Sequence, residues 1–140
     1  MPRLTAVNRL LRELVARPSI NPTFLPGQPE LTGEERVAEF LAETARSAGI
    51  EVRRQAVLPG RKNLIARISP SGKVRERIML TPHMDVVPAP GSAFRPKIRN
   101  GRMYGRGTCD TKGSVSAFFS AFLDLARKGP LPRETEILFV

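Results

Sequence analysis

Apolar positions along the chain fall into two alternating rhythms. Leu4, Val7, Leu10, Leu11, Leu14 and Val15 recur at helical spacing and predict a first helix. The stretch RPSINPTFLPGQPE, Arg17 to Glu30, follows as a proline-rich loop that no helix could cross. Thr32 and Glu35 then form a capping-box pattern, Val37, Phe40, Leu41 and Ala48 lie on one helical face, and Gly49 sits where a helix stops. After it the period shortens. EVRRQAV, NLIARI and RERIMLT each read as strands, the last ending in an apolar run suited to burial. Asn100-Gly101, between PKIR and RMYG, is a hairpin turn signal. From Gly113 the helical period returns: Val115, Phe118, Phe119, Phe122 and Leu125 form a wide apolar stripe, ended by Gly129 and Pro130. TEILFV closes the chain as another strand. This alternation predicts an α/β fold, a mostly parallel sheet flanked by helices on both faces.

Composition narrows the function classes. The 140 residues fit one domain, and 41% hydrophobic with 26% charged residues is the balance of a globular protein. The apolar runs are too short for a membrane span, and residues 1–20 lack a secretory signal pattern, so the expected setting is the cytoplasm with no membrane partner. The formal charge of +10 raises nucleic acid as a partner, but the arginines are scattered with no long block, which argues against it. A single cysteine excludes an intrachain disulfide, and with a single histidine it cannot furnish a four-ligand structural zinc site. Any metal has to lean on carboxylates.

The one imidazole, His83, lies just past the carboxyl end of the RIML strand, where open α/β sheets place ligands. In an extended segment residues two apart share a face, so Asp85 can take the second imidazole proton or hold a neighbour of His83 in place. Alone, this also describes an ordinary histidine–aspartate pair. A second constellation supports the sharper reading: NGRMYGRGTCDTKGS, Asn100 to Ser114, places Asp110 among glycines immediately before a helix. There Asp110 is either an N-cap or a metal ligand. A phosphate loop is excluded by the order of Lys112 and Gly113, and Cys109 reads as small buried packing.

TPHMDVVP and FRPKIRNGRMYGRGTCDTKGSVSAF together resemble the two signature blocks of the dinuclear zinc amidohydrolases and exopeptidases, the family of acetylornithine deacetylase, succinyl-diaminopimelate desuccinylase, aminoacylase and carboxypeptidase G. The resemblance runs over roughly Val7 to Val140 and departs at Pro82, where the family commonly has glycine. It implies that His83 binds one metal, that Asp110 bridges two, and that Asp85 is the catalytic-site residue orienting His83. It implies Zn²⁺, two per complete site with Co²⁺ or Mn²⁺ as alternatives, activating a water for attack on the amide bond of an N-acyl amino acid or small peptide. A cis peptide is implied between Asp110 and Thr111, and Lys112, Gly113 and Arg106 are read as shaping the loop. In the family the strand resembling TEILFV runs into a Glu-Glu pair, and later Asp and His ligands and a lid or dimerisation domain follow. The expectation is therefore an N-terminal portion of a zinc-exopeptidase-like catalytic domain, inactive by itself and homodimeric when complete, with a Glu-Glu pair within about ten residues beyond Val140 in the reading frame. A non-catalytic remnant of that fold and a basic nucleic-acid-binding domain are the alternatives.

Overall fold

In the computed structural model, residues 5–129 and 134–140 are described. The chain divides into two compact units, residues 1–37 with 82–117 and residues 38–81 with 118–140.

The first unit opens with helix α1 (Ala6–Val15), capped by Thr5, whose hydroxyl oxygen accepts from the Asn8 amide at 3.2 Å. Only Leu14 and Val15 of its stripe are fully buried. The proline-rich loop is not idle. Ile20 forms isolated parallel bridges with both Thr32 and Val86, and Ile20, Val86 and Phe94 make a small core on which Leu25, Leu31 and Ala89 pack. A 3-10 turn (Gly91–Phe94) leads to the hairpin of β4 (Lys97–Arg99) and β5 (Arg102–Tyr104). Asn100 and Gly101 take φ of 49° and 74° at its tip, the two positive values that the Asn-Gly signal predicts.

In the second unit, β1 (Glu51–Leu58), β2 (Arg61–Ile68), β3 (Glu76–Leu80) and β6 (Thr135–Phe139) form one sheet in the order β1-β2-β6-β3. The sheet is mixed, not mostly parallel: β1–β2 and β2–β6 are antiparallel and only β3–β6 is parallel. Connection length explains this. A tight turn at Gly60 (φ 71°) can only fold β1 back on β2, whereas β3 and β6 are separated by a long crossover. Leu64, Ala66 and Phe139 are buried on one face, where Phe139 meets Phe119 edge-on at 5.0 Å and Phe122 at 6.1 Å. The α/β class, helices flanking a sheet, therefore holds.

Two helices run from one unit into the other along the chain. Helix α2 (Glu35–Ser47) ends as foreseen at Gly49 (φ 74°), with the Ile50 amide bonded to Ala45 O and the Gly49 amide to Arg46 O. Thr32 does not cap it. Its hydroxyl donates to Gln28 O, and the flanking backbone is tied to Ile20, so the helix starts later than the capping box implies. Helix α3 (Lys112–Arg127) buries Val115, Phe119 and Phe122, but Phe118 is 42% exposed because Ser116 and Leu123 fill the buried side instead. The expectations at Leu4 and Pro130 lie outside the described residues. Among the described residues no helix is long and apolar enough to cross a membrane.

Candidate functional site

The site is built from the first unit. β3 ends at Leu80, and the following segment is laid against residues 19–21 as a short parallel pairing. The Val86 amide donates to Ser19 O at 2.9 Å, the Asn21 amide to Val86 O at 3.0 Å, and the fully buried Ser19 hydroxyl to Met84 O at 2.8 Å. These three bonds tie the irregular segment to the core, so that His83 and Asp85 are presented from an anchored backbone.

His83 Nδ1 lies 3.1 Å from both Asp85 Oδ1 and the Asp85 carbonyl, and its Nε2 lies 3.1 Å from Asp110 Oδ1. The structure therefore brings together all three residues singled out from the sequence. Nδ1 faces two acceptors and Nε2 one, so the neutral ring favours Nδ1–H toward Asp85, and the protonated ring donates from Nε2 to Asp110 as well. The Asp110 side chain is 82% exposed and its hydrogen bonds go to His83 and to the Thr111 hydroxyl, which donates at 2.7 Å; it is not spent capping α3. The Asp110–Thr111 peptide is cis, as the resemblance implies.

Electrostatics follow the geometry. Partial burial pushes the His83 pKa down, but hydrogen bonding to Asp110 and the charge and hydrogen bonds of Asp85 outweigh it, so the net shift is upward. The Thr111 hydroxyl and then His83 hold the Asp110 carboxyl below its ordinary range. Nε2 and a carboxylate oxygen meeting at this distance are the N/O donor types that bind Zn²⁺. Among the described residues no group of three or more His, Cys, Asp or Glu side chains gathers for a metal. The donors fit a metal as part of a larger set.

The loop is fixed from behind by Lys112. It is fully buried, and its Nζ donates to Leu14 O at 2.9 Å in the last turn of α1 and to Arg17 O at 2.6 Å just past it, 5.7 Å from the Phe94 ring centroid. Burial, with Arg36 and Arg17 nearby, lowers its pKa to about 7. Gly107 lies so close to Val86 and the Lys112 stem that a Cβ there would meet them at 2.9 and 3.0 Å. Arg106 donates from Nη2 to Pro88 O at 3.4 Å, a loop-shaping contact. Cys109 is exposed rather than packed, since it shares the open side of the loop with Asp110. Glu136, in the second unit, has its carboxylate engaged by Arg77, Arg67 and Ser69. Sequence reading missed Asn21, whose side-chain amide donates to Asp85 Oδ2 at 2.9 Å from 64 residues away.

Residues 79–140 match the family described as Peptidase family M20/M25/M40. The chain is 36% identical over 124 residues, 84% of its length, to a succinyl-diaminopimelate desuccinylase of Halorhodospira halophila, and 40% identical over 115 residues, 73% of its length, to one of Methylorubrum populi. It spans 29% of the length of each. Among solved structures it is similar to an M20 family metallo-carboxypeptidase from Sulfolobus solfataricus, with a TM-score of 0.71, 26% identity, and coverage of 97% of this chain and 30% of that one. Human carnosine dipeptidase 1 shares the fold at a TM-score of 0.70 and 20% identity, over 95% of this chain and 31% of that one.

Proposed function

Because the chain shares its sequence pattern with Peptidase family M20/M25/M40 over residues 79–140, and its fold with an M20 metallo-carboxypeptidase over nearly its whole length, we propose that it is the N-terminal portion of the catalytic domain of a zinc-dependent hydrolase, one that cleaves amide bonds of N-acyl amino acids or small peptides. The observation that carries this is the meeting of His83 Nε2 and Asp110 Oδ1 at 3.1 Å, with Asp85 on the opposite ring nitrogen. The names of the relatives favour an N-succinyl amino acid as substrate. A lone cysteine accords with a cytoplasmic setting.

His83 and Asp110 would hold the metal. When bound, Zn²⁺ supplies Lewis acidity toward water and an amide carbonyl. Asp85 accepts a hydrogen bond from Nδ1–H and so fixes the ring with Nε2 free for a metal, which also raises the basicity of that nitrogen. The Thr111 hydroxyl steadies Asp110 Oδ1. The groups that move protons to and from the substrate lie outside these residues, so the chain alone is expected to be inactive.

With a single histidine, the ¹⁵N spectrum of the imidazole reports one residue. Zn²⁺ added to the chain should shift the Nε2 resonance and leave Nδ1 protonated, and Asp110→Ala should weaken that response by about tenfold or more. A shift confined to Nδ1, or none at millimolar Zn²⁺, would contradict the reading. For the whole protein, hydrolysis of N-succinyl and N-acetyl amino acids by the product of the complete reading frame should be lost with a chelator and restored by Zn²⁺.

A further inference from the structure

Asn21 uses all four of its polar groups. Its backbone amide donates to Val86 O at 3.0 Å, and its carbonyl accepts from the Phe24 amide at 3.0 Å. Its side-chain Oδ1 accepts from the Thr23 amide at 3.1 Å, and its Nδ2 donates to Asp85 Oδ2 at 2.9 Å. The last two bonds fix the orientation of the amide. Turned over, it would set Oδ1 against a carboxylate and an NH₂ against an N–H, two repulsions in place of two bonds.

Asp85 is thereby gripped at both oxygens, Oδ2 by Asn21 and Oδ1 by His83 Nδ1. A carboxylate held at one oxygen only can rotate about its last torsion, which is broad and shallow. Held at both, it keeps Oδ1 aimed at the ring. The backbone supplies the rigidity: Ile20, beside Asn21, is fully buried and paired with Val86, beside Asp85.

We propose that Asn21 is a positioning residue of the His83 site, acting through Asp85 to set the tautomer and direction of the imidazole. The inference rests on the metal-site reading for its purpose, but the interaction itself is tested without metal. Asn21 is suited to this because it offers a donor to Asp85 and an acceptor to Thr23 at once. Aspartate would keep the acceptor and set a second negative charge against Asp85, and alanine would remove both the donor and the acceptor.

The test compares the His83 imidazole ¹⁵N spectrum of the metal-free chain at alkaline pH in wild type, Asn21→Ala, Asn21→Asp, Asp85→Ala and the double variant Asn21→Ala/Asp85→Ala. Wild type should be predominantly Nδ1–H. Asn21→Ala should move the tautomer ratio toward Nε2–H by about three- to tenfold, the worth of one ordinary hydrogen bond. In the Asp85→Ala background the same substitution should change the ratio no further, which separates action through Asp85 from general loosening of the fold. Asn21→Asp, which keeps the turn at Thr23, should also depart from wild type and decides the matter if the alanine variant fails to fold. An unchanged spectrum in both Asn21 variants, or an undiminished effect of Asn21→Ala when Asp85 is absent, would overturn the proposal. Added Zn²⁺ then forms a separate arm: Asn21→Ala should weaken binding by about tenfold, at the low end for outer partners of a ligand. If Zn²⁺ leaves the wild-type ring untouched, the metal reading fails while the tautomer comparison still decides the role of Asn21.

Discussion

Gly113 shows how tightly single residues are constrained around Asp110. A Cβ at this position would stand 2.4 Å from the Thr108 carbonyl oxygen, a backbone atom that cannot swing aside as a side chain would. Gly72 has nothing within 4 Å of its own notional Cβ. Gly113→Ala should therefore destabilise the chain by about 1–3 kcal/mol through overpacking, whereas Gly72→Ala should stay within about 0.5 kcal/mol of wild type. Urea unfolding of the two variants side by side checks this, and equal midpoints would mean that the loop relaxes freely. His83, Asp85 and Asp110 stood out in the sequence because each sits in a short block resembling a family signature, although residue types and spacing alone left Asp110 open as an N-cap. Asn21 was not. Its partner lies 64 residues away, and an asparagine beside a proline signals only a turn. The burial of Lys112 was equally hidden, since its two acceptors are backbone carbonyls near the end of α1, which no side-chain pattern announces.

At the scale of elements, a row of charges crosses the sheet. Glu51 on β1 pairs with Arg67 on β2, Arg67 approaches Glu136 on β6 at 3.8 Å, and Arg77 on β3 closes on Glu136 at 2.6 Å. The register accounts for it, because Glu51 stands opposite Arg67 and Arg77 opposite Glu136, so the side chains share a face. Glu136 is the buried member, 5% exposed in its side chain, while Arg77 is 65% exposed and screened by solvent. Removing its charge in Glu136→Gln should cost about 1–2 kcal/mol, the low end for a buried carboxylate whose partners remain hydrated. The hydrogen bond from Arg77 is the main cause holding the Glu136 pKa below its ordinary 4.5; burial opposes it. A depressed carboxyl pKa means that the unfolded chain binds the proton more readily, so this stabilisation is complete above 4.5 and disappears as pH falls through the folded value. Unfolding midpoints measured from neutral to about pH 3 should fall more steeply for wild type than for the Gln variant, and parallel curves would remove the assignment. Strand existence was legible from the apolar runs and the hairpin from Asn-Gly. Parallel or antiparallel pairing was not, since it depends on which strands become neighbours; TEILFV enters between β2 and β3, opposite in sense to one and equal to the other. The capping box at Thr32 failed for a related reason, because a tertiary pairing with Ile20 claimed that backbone before the helix could begin.

For the molecule as a whole, the question is whether metal binding contributes to folding or only to the site. The described residues offer no cluster of three or more metal-binding side chains, and the buried residues are overwhelmingly apolar, from Leu14 and Ile20 to Phe122 and Phe139. His83 and Asp110 are both more than half exposed in their side chains, so neither anchors a core. Folding is therefore driven by apolar burial, and metal should act as a weak ligand of a chain already folded. A chelator should leave the thermal midpoint unchanged, in contrast to domains whose structural zinc supplies the folding free energy. Zn²⁺ at a concentration equal to its dissociation constant should add about 0.4 kcal/mol, which for a chain of this size raises the midpoint by roughly 1–3 °C. His83→Ala should abolish that rise while leaving the metal-free midpoint within about 0.5 kcal/mol of wild type, because an exposed imidazole contributes little to the folded state. A midpoint that drops by several degrees on chelation would show that metal holds the fold together, and the exposed His83–Asp110 pair could then no longer be regarded as a site added to a self-sufficient core.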